Sequence, residues 1–158
     1  MSEPTAIETR VREATPGEVP AVAAAVEALL VELGGRRPSR AEMEAEVQAI
    51  VEGPEVGAML VADAAGSIVG VLGASWCRAI HVPGRYAVIQ DLWVHPDWRS
   101  RGVGAELVDG IVALCCERGV TRIEVGLPRE SFEAIRATEA FYLGNEFEHL
   151  GPRMRRLL

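Results

Sequence analysis

The chain has 158 residues, 49% of them hydrophobic and 25% charged, with a formal net charge of −7. That length and composition suit one globular domain with a real core. The acidic balance argues against general nucleic-acid binding, which usually needs a basic face, and no apolar run reaches the roughly 18 residues that span a bilayer.

The start, Met1-Ser2-Glu3-Pro4-Thr5, is polar, with no basic n-region and no apolar h-region, so it does not read as a signal peptide. Ile7, Thr9 and Val11 alternate with polar residues and predict a first strand. Thr15-Pro16-Gly17-Glu18 reads as a capping box with proline at the first helical position. Val19, Val22, Val26, Leu29, Leu30 and Leu33 follow at helical spacing, and Gly34-Gly35 ends that helix. Ser39-Arg40-Ala41-Glu42 is a second capping box, with Met43, Val47, Ile50 and Val51 behind it and Gly53-Pro54 as the stop.

Two strands are expected next, over 58–63 and 67–76, joined by a turn at Ala64-Ala65-Gly66. His81-Val82-Pro83-Gly84 reads as a loop, and Tyr86 to Val94 as a long central strand. Val103, Leu107, Ile111 and Cys115 repeat every four residues and predict a helix closing at Gly119. A strand over Arg122 to Leu127, a helix from Ser131 to about Leu143 and a last strand within Phe147 to Leu158 complete the order. The pattern is a mixed sheet with helices on both faces.

The cysteines are Cys77, Cys115 and Cys116, an odd number with two adjacent. They fit a reduced, cytoplasmic protein in which they are small core residues. His81, His95 and His149 show no metal-ligand spacing. Arg153, Arg155 and Arg156 read as a solvated edge. All sixteen basic residues are arginine, so no lysine side chain can accept an acyl group.

The densest signal is Gln90 to Ala105, a strand, a short loop and a glycine-rich helix start. Such a start presents unpaired N–H groups and the positive end of a helix dipole, which suits a phosphate-bearing ligand. Glycine at 102 and 104 would let backbone amides approach that ligand without side-chain obstruction. The bland alternatives are a plain turn at Gly102 and close helix packing at Gly104. A dinucleotide-binding fingerprint is disfavoured, because its third glycine would fall at Leu107 and the motif follows a late strand.

Taken together, Arg99-x-x-Gly102-x-Gly104, the preceding strand end Leu92-Trp93-Val94 and the intervening Pro96 resemble the acyl-coenzyme A signature of the GNAT N-acetyltransferase superfamily. The resemblance implies an α/β (α+β mixed sheet) fold. Its central, mostly antiparallel sheet would have splayed middle strands and helices on both faces, in a single domain over 1–158. It implies acetyl-CoA as acyl donor and no metal, with the donor in a cleft between the Tyr86–Val94 and Arg122–Leu127 strands. The amides from about Arg101 through Gly102, Val103 and Gly104 to Ala105 would hold the pyrophosphate, with Arg99, Ser100 and Arg101 beside them. The backbone of Leu92, Trp93 and Val94 would pair with the pantetheine arm, and an N–H near Leu92 would stabilise the oxyanion.

Acetyl transfer to an amine also needs an acid and a base. The resemblance gives the acid role to Tyr142, in Phe141-Tyr142-Leu143-Gly144-Asn145-Glu146-Phe147, with Glu146 where the family usually has glycine. Gln90 stands where many members carry a glutamate base, and Ile135 where an asparagine often contacts the cofactor arm. Asp91 could serve as base if a bulge re-aimed it; water relayed from Glu32 or Glu124 is an equal alternative. The acceptor would be a small cationic amine. It would be held between Leu29 and Glu44, where Glu27, Glu32, Glu42, Glu44 and Glu46 concentrate, although glutamates also favour an exposed helix face. The resemblance implies a homodimer; no nucleic acid or membrane is expected as partner. A catalytically weak acyl-CoA-binding sensor or interaction module, and a longer acyl donor, are the alternative readings.

Overall fold

The computed structural model describes residues 7–158, so the polar start Met1 to Thr5 lies outside the described residues. The chain divides into two compact units, one up to Glu124 and one over Val125–Leu158. In chain order the strands and helices are β1 (Thr9–Glu13), α1 (Val19–Leu33), α2 (Arg40–Glu52), β2 (Gly57–Ala64), β3 (Ser67–Ala79), β4 (Val82–Val94), α3 (Val103–Glu117), β5 (Ile123–Val125) and α4 (Ile135–Gly144). The sheet is mixed and ordered β1-β2-β3-β4-β5, with β1 to β4 pairing antiparallel in succession.

Local chemistry explains most boundaries in the first unit. The Thr15 N–H donates to the Glu18 carboxylate at 2.8 Å and closes the first capping box. Ser39 N–H and Oγ each reach Glu42 at 2.8 Å and close the second. Gly34, at φ 74°, ends α1. The β2–β3 hairpin turns through Ala65 and Gly66, both at positive φ. Gly66 N–H donates to Asp63 Oδ1 at 2.7 Å, as tight hairpin turns favour.

Each face of this sheet carries helices. Val22 of α1 and Met43 and Val47 of α2 bury with Met59, Val61, Val71 and Trp93 on one face. On the other, α3 comes close enough that a Cβ at Gly110 would sit 2.7 Å from Val11 Cγ1. A Cβ at Gly70 would sit 3.0 Å from Leu107 Cδ1. Glycine is therefore what lets α3 approach β1 and β3.

Four sequence expectations need correction. The 81–84 loop is absent: Val82 pairs with Ala79, and a register shift there takes up Pro83 and Gly84. The turn is Ile80-His81, because a bulge at the start of β4 accommodates a proline without breaking the strand. In the second unit, α4 begins at Ile135 rather than Ser131. The approach makes two tight turns instead, with Phe132 N–H on Arg129 O at 2.9 Å and Ile135 N–H on Phe132 O at 3.1 Å. No strand forms over 147–158 among the described residues. Pro152 lacks an N–H, and Leu150, Met154, Leu157 and Leu158 face solvent rather than a core. Of the cysteines, Cys115 is buried, but Cys77 is half-buried and Cys116 exposed, so only one is a core residue.

Candidate active site

In β4, Ile89 pairs with Ala74 and Asp91 pairs with Gly73, so Gln90 is an extra residue opposite no partner. This is a β-bulge, and it resets the alternation of side chains along the strand. Asp91 now shares a face with Trp93 and with Gly73 and Val71 of β3, the face covered by α1 and α2. Its Oδ2 lies over Gly73, 3.6 Å from where a Cβ would stand. Among the described residues the Asp91 carboxylate has no hydrogen-bond donor or cation, and burial is the one influence on its charge. Burial alone pushes its pKa above the ordinary aspartate value. Gln90 itself is exposed.

A second bulge steers the chain beyond β4. Ala62 pairs with Gly70 but Asp63 with Ile68, which leaves Val69 as the extra residue. The Val69 carbonyl accepts from His95 N–H at 2.8 Å. A short 3-10 turn, Pro96–Trp98, follows, and His95 Nδ1 accepts from Asp97 N–H at 3.2 Å. Ser100 and Gly102 then both take positive φ, 59° and 86°, and α3 starts at Val103. Alternation of this kind turns successive amides to one side, the geometry of an anion-binding nest.

The first intrahelical bond of α3 runs from Glu106 N–H to Gly102 O, at 3.0 Å. The amides of Val103, Gly104 and Ala105 precede it and lack an acceptor four residues back within the helix. A Cβ at Gly102 would meet nothing within 4 Å, so the approach is open. The Arg101 guanidinium lies over the Trp98 ring, 5.4 Å from its centroid, and Arg101 is exposed. The donor set fits a pyrophosphate: bare amides, a dipole end and the exposed Arg101 guanidinium.

Arg99 has protein partners of its own. Its Nε donates to the Val94 carbonyl at 2.9 Å and its Nη2 to Glu32 Oε1 at 2.5 Å. The same Glu32 oxygen accepts from Trp93 Nε1 at 3.3 Å. Arg99 therefore ties the end of β4 to α1, and the Val94 carbonyl already has a donor. Glu32 and Glu124, the two carboxylates considered for a water relay, are both paired, Glu124 with Arg122 at 2.8 Å. In the acidic cluster Glu27 pairs with Arg40 and Glu42 closes its capping box, which leaves Glu44 and Glu46.

In the second unit, Tyr142 is the buried residue of α4. Its ring meets Phe141 and Phe147 edge-on, at centroid distances of 5.1 and 5.3 Å. Burial raises the phenol to about 12. Phe147 N–H closes the helix end on Tyr142 O at 3.1 Å, and Glu146 takes φ 67°. The turn that glycine would make is thus made by glutamate, at a backbone cost of about 1 kcal/mol. Ile135 is the first residue of α4.

Sequence reasoning missed the Glu32–Arg99 pair, which joins positions 67 apart. A signal was present: a carboxylate in the last turn of a helix opposes the dipole, so Glu32 needed a cation from elsewhere. Among the described residues no group of three or more His, Cys, Asp or Glu side chains could hold a metal ion. No helix among them is long and apolar enough to cross a membrane.

Solved structures share this fold at low sequence identity. Aminoglycoside N-acetyltransferase AAC(6')-Iy in complex with CoA is 15% identical, with 99% of each chain covered and a TM-score of 0.80. An aminoglycoside acetyltransferase from an uncultured soil metagenomic sample, in complex with sisomicin, is 17% identical over 95% of this chain and 96% of that one, TM-score 0.74. Ribosomal-protein-alanine N-acetyltransferase from Brucella melitensis biovar Abortus 2308 is 14% identical over 96% and 98%, TM-score 0.69. No curated protein matches the chain by sequence. The model of the Acetyltransferase (GNAT) family matches residues 24–142. Because that match runs from within α1 to Tyr142, through the bulged strand and the whole helix start, the chain belongs to the GNAT acetyltransferase family.

Proposed function

We propose that the chain is an acetyl-CoA-dependent N-acetyltransferase that passes the acetyl group directly to a primary amine of a small cationic substrate. The observation that carries this reading is the Gln90 bulge, which turns Asp91 onto the α1–α2 face just upstream of a bare helix start. In the proposed reaction, the amides of 101–105 and the Arg101 guanidinium hold the pyrophosphate. The backbone near Leu92 stabilises the oxyanion, as donors aimed at developing charge do. Asp91 takes the proton of the incoming ammonium; its raised pKa makes it a stronger base than a solvated aspartate. The amine nitrogen bonds to the thioester carbon, the carbon–sulfur bond breaks, and the thiolate leaves. Tyr142, protonated throughout the working range, donates to that thiolate, and its phenolate takes the second proton that the nitrogen releases as the amide forms.

The proposed enzyme needs no metal, works in the cytoplasm, forms a homodimer and uses residues 1–158 as one catalytic domain; the family match over 24–142 supports that extent by including parts of both compact units. The cationic acceptor is supported by the aminoglycoside-modifying neighbours and by Glu44 and Glu46, which pair with no cation among the described residues. The neighbour that acetylates a ribosomal-protein alanine makes a protein N-terminus the acceptor to compare. The test is thiol release from acetyl-CoA across aminoglycosides, polyamines, amino acids and an alanine-ended peptide. Amine-dependent release, lowered by roughly 10²-fold in Tyr142→Phe, is the expected result. The competing reading, an acyl-CoA-binding module without turnover, rests on the exposed amide Gln90 and calls for binding with no release on any amine.

A further inference from the structure

Glu32 stands where a helix disfavours it. It lies in the last turn of α1, at the negative end of the dipole, with no basic residue in that turn. It is half-exposed, and an ordinary exposed ion pair contributes little stability. Yet its Oε1 gathers two donors from two other places in the fold: Arg99 Nη2 at 2.5 Å and the indole N–H of Trp93 at 3.3 Å. Trp93 belongs to the core that α1 and α2 bury. Arg99, three residues before Gly102, also grips the Val94 carbonyl at 2.9 Å. One carboxylate thus connects α1, the end of β4 and the turn into the helix start. At the other side of α1, Glu27 pairs with Arg40 at the start of α2.

We propose that Glu32 is a positioning residue that couples occupation of the 101–105 cradle to the C-terminal end of α1, and so to the α1–α2 wall on the Asp91 face. Arg99 is the link rather than a phosphate ligand. A ligand that orders the turn from His95 to Gly102 orders Arg99, and through Glu32 it orders the last turn of α1. Two glycines at positive φ, Gly34 and Gly35 at 74° and 94°, end the helix just beyond Glu32. Ordering by one ligand lowers the entropic cost of the next, which is positive cooperativity between donor and acceptor. The coupling rests on the coenzyme A reading above.

Hydrogen exchange of the full chain with and without coenzyme A tests it. In the wild type, coenzyme A should slow exchange in peptides over 99–105 and also over 27–35, the latter by about fivefold, the low end of ordinary coupling between sites. In Glu32→Ala the 99–105 effect should remain and the 27–35 effect should vanish. Glu32→Gln, which keeps an acceptor oxygen, should restore part of it. Protection at 99–105 alone in the wild type, or undiminished protection of 27–35 in Glu32→Ala, overturns the coupling and leaves the cofactor reading standing. Protection in neither region overturns both.

Discussion

At the scale of single residues, Asp91 sets two demands against each other. Burial raises its folded pKa above the unfolded value, so folding penalises the ionised form. The penalty is fully present at pH 7 and shrinks as pH falls through the folded pKa toward the unfolded one. Asp91→Asn should therefore raise Tm at pH 7, with a gain that fades as pH falls toward about pH 4 and is gone below it, while kcat drops by roughly 10²-fold. Melting curves across pH, with thiol-release rates on the same protein, check both halves. A lowered Tm at pH 7 would mean that the carboxylate has a favourable partner. Sequence reached Asp91 only on condition of a bulge, because a bulge is set by register against β3 and by nothing local to Gln90. Glu146 taught the opposite lesson: the departure from glycine left the positive-φ turn in place.

At the scale of elements, local signals were readable and long-range ones were not. Both capping boxes formed at the residues that encode them, and the Ala65-Gly66 turn formed where two strands flanked a glycine. Those features need only neighbours in sequence. The approach of α3 to the sheet depends instead on Gly110 meeting Val11 and Leu60, which no periodicity reveals. Gly110→Val should lower stability by about 1–3 kcal/mol through overpacking. Gly17→Ala, where a Cβ meets nothing within 4 Å, should stay within about 0.5 kcal/mol of wild type. Denaturant unfolding of the two variants separates these outcomes; equal midpoints would mean that α3 shifts without cost. The missing tail strand belongs here too, since strand formation needs a partner edge that composition cannot supply.

At the scale of the whole molecule, an acidic, lysine-free chain leaves all its ion pairing to arginine and histidine. Arg12 of β1 joins Glu18 at 2.7 Å and Asp63 of β2 at 2.9 Å. The guanidinium holds Glu18 down to about 2 and lowers Asp63 as well. Depressed carboxylates stabilise the fold above their unfolded pKa, and that stability is lost as pH falls through the folded values. Tm should accordingly fall between about pH 4.5 and pH 2. Glu18→Gln, which can still close the capping box, should flatten that decline and lower Tm at neutral pH. An unchanged acid limb would remove the network from the stability account. The succession of strands and helices was legible up to β5, because each element carried its own period and stop signals. The Glu32–Arg99 connection was not, because it joins two distant stretches of chain.

The central claim is that the helix start at Gly102 to Ala105 holds the phosphates of coenzyme A. Titration calorimetry of acetyl-CoA into the wild type and into Gly104→Leu, with melting curves showing both folded, tests it most directly. Saturable binding by the wild type and at least about tenfold weaker binding by the variant, roughly 1.4 kcal/mol, are expected. No binding by the wild type at millimolar acetyl-CoA, or equal affinity in the two proteins, would contradict it.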